Sequence, residues 1–157
     1  MIVTESELVA AVARDRAGGR TIALANGCFD LLHVGHIRYL QAAAAEADRL
    51  IVAVNDDRSV ASLKGPNRPI LSAPDRAELV AALRCVEYVV VFGDPNVERL
   101  LRLLKPDVHC KGTDYTIDTV PERAVVQAYG GRTAIVGGPK IHSTRELLRE
   151  IARSTGD

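Results

Sequence analysis

The sequence predicts an α/β fold: a Rossmann-like, doubly wound, five-stranded parallel sheet with helices on both faces. Three observations carry that prediction. Short apolar runs rich in β-branched residues alternate with longer helix-favouring stretches. Residues 50–54 (LIVAV) are apolar throughout, as a strand covered on both faces requires. The polar, glycine-bearing motifs fall just after predicted strands, where open sheets of this class bind ligands. At 157 residues the chain is expected to form one domain over 1–157, with residues 1–20 as an N-terminal helical extension.

Residues 5–13 read as a short helix packed on the outside. Residues 21–25 (TIALA) form the first predicted strand, and the alanine-rich stretch 37–47 a strong helix. Strand 50–54 is followed by a Gly- and Pro-bearing loop (LKGPNRP) read as mobile surface. The helix over 74–83 has Ser72 as its cap and Pro74 in its first turn. Strand 88–92 (YVVVF) and helix 97–104, stopped before Pro106, come next. A short strand over 108–111, a helix over 121–129 ended by two glycines, a strand over 133–136 and a helix over 143–152 complete the pattern.

Composition removes several function classes. Lys plus Arg (20) balances Asp plus Glu (20), so no global positive field draws the chain to nucleic acid or to an anionic membrane. The longest apolar stretches are far shorter than the roughly 20 residues needed to cross a bilayer. The first ten residues alternate acidic and apolar side chains, unlike a secretion signal, so a cytoplasmic location is expected. Cys28, Cys85 and Cys110 are odd in number and lack CxxC spacing, which suggests buried thiols instead of disulfides or zinc.

Residues 25–40 read ANGCFDLLHVGHIRYL. A strand leads into a glycine turn, and His33 and His36 follow at the start of a helix. Spacing of i and i+3 puts both rings on one side of a helical turn, able to reach one ligand. Gly35 removes a side chain where a phosphate would approach open backbone N–H groups, and the helix start adds partial positive charge. Imidazoles there suit phosphoryl or nucleotidyl transfer. Two plainer readings stand beside this one: histidines that merely cap and pack, or a metal site of Asp30, His33 and His36, which has no fourth ligand at useful spacing.

The stretch NGCFDLLHVGHIRYL resembles the HxGH nucleotidyltransferase superfamily, in particular its cytidylyltransferase-like branch, whose pattern is G-x-F-D-x-x-H-x-G-H. Residues 50–70 and LKPDVHCKGTDY (104–115) look like the adenylyltransferase domain of bacterial ADP-heptose synthases, and HSTRELLREI (142–151) resembles that family's S-T-T helix start.

The resemblance implies a site residue by residue. His33, His36 and Lys64 are the expected catalytic groups. Gly27, Cys28, Phe29, Gly35, Ser143 and Thr144 join the two histidines in holding the nucleotide. Asp30, Asn55, Arg68, Lys111, Gly112 and Asp114 join Lys64 on the acceptor. Arg76 is a weaker phosphate candidate and equally an exposed helical charge. Asn55 and Asp56 also read as an ordinary turn, and Ser143 as an ordinary cap. Gly137, Gly138, Pro139 and Lys140 are expected to shape a nucleotide wall. Thr113 stands where the family has a second glycine, and Arg145 where it has a second threonine.

The implied reaction joins ATP (or CTP) to a sugar phosphate with loss of pyrophosphate. A heptose 1-phosphate is the favoured acceptor, and CTP with glycerol 3-phosphate the alternative pair. Mg²⁺ is expected, held mainly by phosphates and water and not by protein side chains. Relatives carry a sugar kinase domain that 157 residues leave no room for, so a separate kinase is expected to supply the phosphate. Relatives commonly form dimers, so a homodimer is the assembly that the resemblance implies. A non-catalytic nucleotide-binding module is the reading from another class.

Overall fold

A computed structural model of the protein describes residues 1–139 and 143–156. Its strands are β1 (Ile22–Gly27), β2 (Arg49–Asn55), β3 (Tyr88–Phe92), β4 (Val108–Lys111) and β5 (Arg132–Ile135). All pair in parallel, in the order β3-β2-β1-β4-β5. The helices are α1 (Glu5–Ala17), α2 (Val34–Ala44), α3 (Asp57–Lys64), α4 (Ala73–Ala81), α5 (Glu98–Leu104), α6 (Arg123–Ala128) and α7 (Thr144–Ser154).

Strand periodicity sorts the core into two layers. Ala23 and Ala25 of β1, with Val52 and Val54 of β2, meet Leu40 and Ala43 of α2 and Ala77 and Val80 of α4. The intervening Ile22, Leu24, Ile51 and Ala53 meet Leu8 of α1, Leu100, Leu101 and Leu104 of α5 and Val126 of α6. Both faces of the sheet are thus covered, as the apolar run of β2 requires. After β1 the chain moves to β2 on one side, while β4 lies on the other. The crevice between the carboxyl ends of β1 and β4 is therefore the topological switch point, the favoured ligand site in such sheets.

Three expectations change. The segment LKGPNRP is not wholly a mobile loop, and Asp56 is not an ordinary turn residue: Asp56 caps a helix, its Oδ1 accepting the Ser59 N–H at 2.7 Å, and α3 carries Lys64 as its last residue. Asp-Asp-Arg-Ser looks like a turn because a capping carboxylate is also a turn former. The alanine-rich helix expected over 37–47 is continuous with the histidine turn: α2 begins at Val34, where the motif puts a helix start, with His33 as its cap, and ends at Ala44. The N-terminal helix is not simply external, since Leu8, Ala11 and Val12 are buried. Just before it, Val3 donates to the Val89 carbonyl, and Val89 donates to that of Met1. The segment thereby covers the β3 edge, three strands from the crevice. Of the cysteines, Cys110 is buried and Cys28 and Cys85 are half-buried; all three are free thiols.

Candidate active site

Local sequence builds the histidine turn. His33 caps α2, its Nδ1 accepting the Gly35 N–H at 3.1 Å, and His36 Nδ1 accepts the His33 N–H at 3.3 Å. This is a capping box made by two imidazoles, with ring centroids 4.0 Å apart. Because both Nδ1 atoms accept, Nε2 carries the ring proton in each neutral imidazole. The expected open N–H groups are correspondingly fewer, for those of His33 and Gly35 point into the rings. Phe29 supports the turn from below. It is buried at φ 48°, a left-handed conformation costly for a bulky residue, and its ring lies 5.5 Å from that of His36. A Cβ on Gly27 would meet that same ring at 3.1 Å, which explains the glycine.

A second wall is assembled from distant segments. Asp30 is 2% exposed, and its carboxylate accepts the N–H groups of Ile70 and Leu71 at 2.9 Å and the Arg68 Nε at 2.6 Å. Burial pushes its carboxyl up, but those donors outweigh burial and hold it below the ordinary carboxylate range. Asp30 and Arg68, both expected on substrate, thus hold each other and pin the 68–71 loop beside Lys64. Arg76 is neither of the things expected of it. It is fully buried, and its guanidinium donates to the carbonyls of Cys28, Asn55 and Leu71 and pairs with Asp57 at 2.8 Å. It fastens the ends of β1 and β2 to α4. The position is visible in the sequence as an arginine one turn after a helix cap, but nothing there separates a buried clamp from an exposed charge.

The third wall rises from β4. Burial lowers the Lys111 pKa, opposed by the negative charge of Glu122, and its Nζ lies 4.6 Å from the Tyr115 ring centroid. Behind it, His109 is fully buried with Nε2 3.0 Å from Asn26 Oδ1. Thr113 Oγ1 donates to the Gly138 carbonyl at 3.1 Å, tying this loop to the one after β5; a glycine has no such donor. At the fourth side, Ser143 caps α7 by accepting the Glu146 N–H at 3.1 Å, and Thr144 Oγ1 donates to the Leu31 carbonyl at 3.3 Å. The cap reading of Ser143 therefore holds, and the start of α7 is tethered beside the histidine turn. Lys140 lies outside the described residues, as does His142.

These walls enclose a cleft of about 620 Å³ at the switch point. His33, His36, Gly27, Cys28, Phe29, Asp30, Gly35, Asn55, Lys64, Arg68, Lys111, Gly112, Asp114, Ser143 and Thr144 all line it, as do Gly137, Gly138, Pro139 and Arg145. Asp56 and Arg76 do not. Asn26, Arg38, Tyr39 and Tyr115 line it without having been singled out. Tyr39 donates to the Cys110 carbonyl at 2.8 Å, joining α2 to β4. Its place one turn beyond His36 was the available signal. Among the described residues, no group of three His, Cys, Asp or Glu side chains is placed to hold a metal ion, and no helix is long and apolar enough to cross a membrane.

The chain is similar to known proteins over most of its length. The bifunctional protein HldE of Pseudomonas fluorescens (strain Pf0-1) is 47% identical over 148 residues, which are 94% of this chain and 31% of that protein. The HldE proteins of Ectopseudomonas mendocina and Geobacter sulfurreducens are 45% and 42% identical over 150 residues. The chain spans about a third of the length of these relatives. A crystal structure of the lipopolysaccharide core biosynthesis protein from Thermoplasma volcanium GSS1 is 27% identical, with a TM-score of 0.62 over 75% of this chain and 95% of that one. The cytidylyltransferase-like family profile matches residues 24–155, and the chain belongs to that family of nucleotidyltransferases.

Proposed function

We propose that this chain transfers AMP from ATP to a heptose 1-phosphate and releases pyrophosphate. The observation that carries this reading is the meeting of His33 and His36, locked with their protons on Nε2, with Lys64 and Lys111 in one cleft. An acceptor phosphate oxygen attacks the α-phosphorus, and the bond from that phosphorus to the pyrophosphate oxygen breaks. The attacking oxygen is already ionised, so no protein nucleophile or general base is required. The histidine Nε2–H groups donate to the α-phosphoryl oxygens and the leaving oxygen as charge builds there. Lys64 and Lys111 balance the phosphate charge, Lys111 on the acceptor and Lys64 within reach of either substrate, and the cleft holds attacker and target in line. The cleft's cationic and imidazole lining, with no carboxylate cluster among the described residues, suits a Mg²⁺ carried in by the triphosphate and its waters. When bound, such an ion would neutralise charge on the departing pyrophosphate.

The HldE relatives and the KGTDY and NDD segments favour the heptose acceptor and ATP. The family description favours CTP, making CTP with glycerol 3-phosphate the competing pair. Pyrophosphate release with ATP or CTP against a panel of sugar phosphates decides between them. Release with ATP and a heptose 1-phosphate is expected. Turnover confined to CTP and glycerol 3-phosphate sinks the heptose assignment, and no release with any pair leaves a nucleotide-binding module.

A further inference from the structure

Beneath the third wall, His109 is 0% exposed, in register with Leu24 of β1, and its Nε2 lies 3.0 Å from Asn26 Oδ1. An amide oxygen only accepts, so Nε2 carries the proton and Nδ1 is the bare nitrogen. That Nδ1 is buried and has no hydrogen-bond partner among the described residues. Burial pushes the ring pKa down to about 3, so this imidazole is neutral near pH 7. Such a group is a poor choice for stability alone, because an unsatisfied buried nitrogen weakens the fold relative to an apolar side chain of similar shape. Asn26, in contrast, reaches the cleft. It is half-buried at the carboxyl end of β1, and its Nδ2 donates to none of the described residues. By strand periodicity, Asn26 points to the same side of the sheet as His109 and Lys111.

We propose that His109 is a positioning residue: its Nε2–H holds the Asn26 amide so that Nδ2 donates to the acceptor's phosphate beside Lys111. This rests on the proposed phosphoryl acceptor and adds to it a second, neutral donor on the acceptor side of the cleft. Fixing Oδ1 from behind removes the amide's freedom to flip, so a donor and not an acceptor faces the anion.

The test uses the full chain as His109→Leu, His109→Gln, Asn26→Ala and the Leu/Ala double variant. The expected result for His109→Leu is an acceptor KM raised up to about tenfold, the worth of one directed hydrogen bond. Nucleotide KM stays within about twofold, and Tm is equal or higher. His109→Gln, which keeps a donor at the same reach, restores the acceptor KM. The double variant is no worse than Asn26→Ala, as a shared pathway demands. An unchanged acceptor KM in His109→Leu, or a loss that follows Tm and is not rescued by glutamine, overturns the proposal. A binding measurement separates it from the reaction itself. In ¹⁵N-labelled protein titrated with inorganic phosphate, the Asn26 side-chain amide shifts in the wild type and the glutamine variant, and far less in the leucine variant. Absence of turnover in the wild type then counts against the reaction alone, while an Asn26 amide that ignores phosphate counts against the positioning role.

Discussion

The histidine wall of the cleft is held by hydrogen bonds two and three residues apart, whereas the Arg76 wall is held by bonds reaching 19, 21 and 48 residues along the chain. The first forms wherever α2 starts. The second exists only once β1, β2 and α4 have packed. Chemistry and architecture are therefore separable on one wall and inseparable on the other, and substitutions should divide along that line.

The largest effect is expected on the assembled wall. Arg76→Met removes a buried cation and leaves three carbonyls without their donor, costing about 3–5 kcal/mol. Urea denaturation should show that loss with turnover falling in step; a stable but inactive variant would break the contrast. On the local wall, His36→Ala should lower kcat by about 10²–10³-fold, the usual effect of removing one transition-state donor. Nucleotide binding by calorimetry should weaken only modestly, and Tm should fall by no more than a few degrees, the worth of one capping contact. A collapse of Tm would place this histidine with the architecture instead.

Acid sharpens the comparison further. The His109 pKa is lowered to about 3, below its unfolded value, so the unfolded chain binds a proton that the folded chain refuses. Stability from this group is complete above about pH 6.5 and is lost as pH falls towards 3. The loss at pH 5 is on the order of 2 kcal/mol. Denaturation at pH 7.5 and pH 5 should show that contribution in the wild type and a loss smaller by about that amount in His109→Leu. Asp30 acts in a lower window: its depressed carboxyl stabilises above the unfolded value near pH 4 and loses that contribution as pH falls through the folded value. Asp30→Asn should therefore cost about 1.5–3 kcal/mol at neutral pH and progressively less below about pH 4.

The residues differ in how legible they were. His33, His36 and Gly35 stand within four positions, so their spacing alone shows that they share a helical turn. Lys111, Gly112, Ser143 and Thr144 were placed through a resemblance and fall on the cleft, but their hydroxyl and amine partners were not readable. Helix α3 was hidden because its capping Asp56 has the chemistry of a turn. The resemblance puts Asp30 and Arg68 both on substrate, since a sequence lists charges without showing that two of them face each other across 38 residues. His109 carried no signal, lying in a strand where its neighbours are apolar.

By itself the sequence determined the alternation of strands and helices, the two buried faces of the sheet and the histidine turn. Each of these depends on contacts or periodicities spanning a few residues, which local composition encodes. Only the tertiary structure decided the strand order that opens the crevice between β1 and β4, the burial of Arg76 under two strand ends, and the seat of His109 behind Asn26. The partners in those contacts come from segments far apart in the chain. Periodicity says which face a side chain takes, but the neighbour it meets there is set by packing.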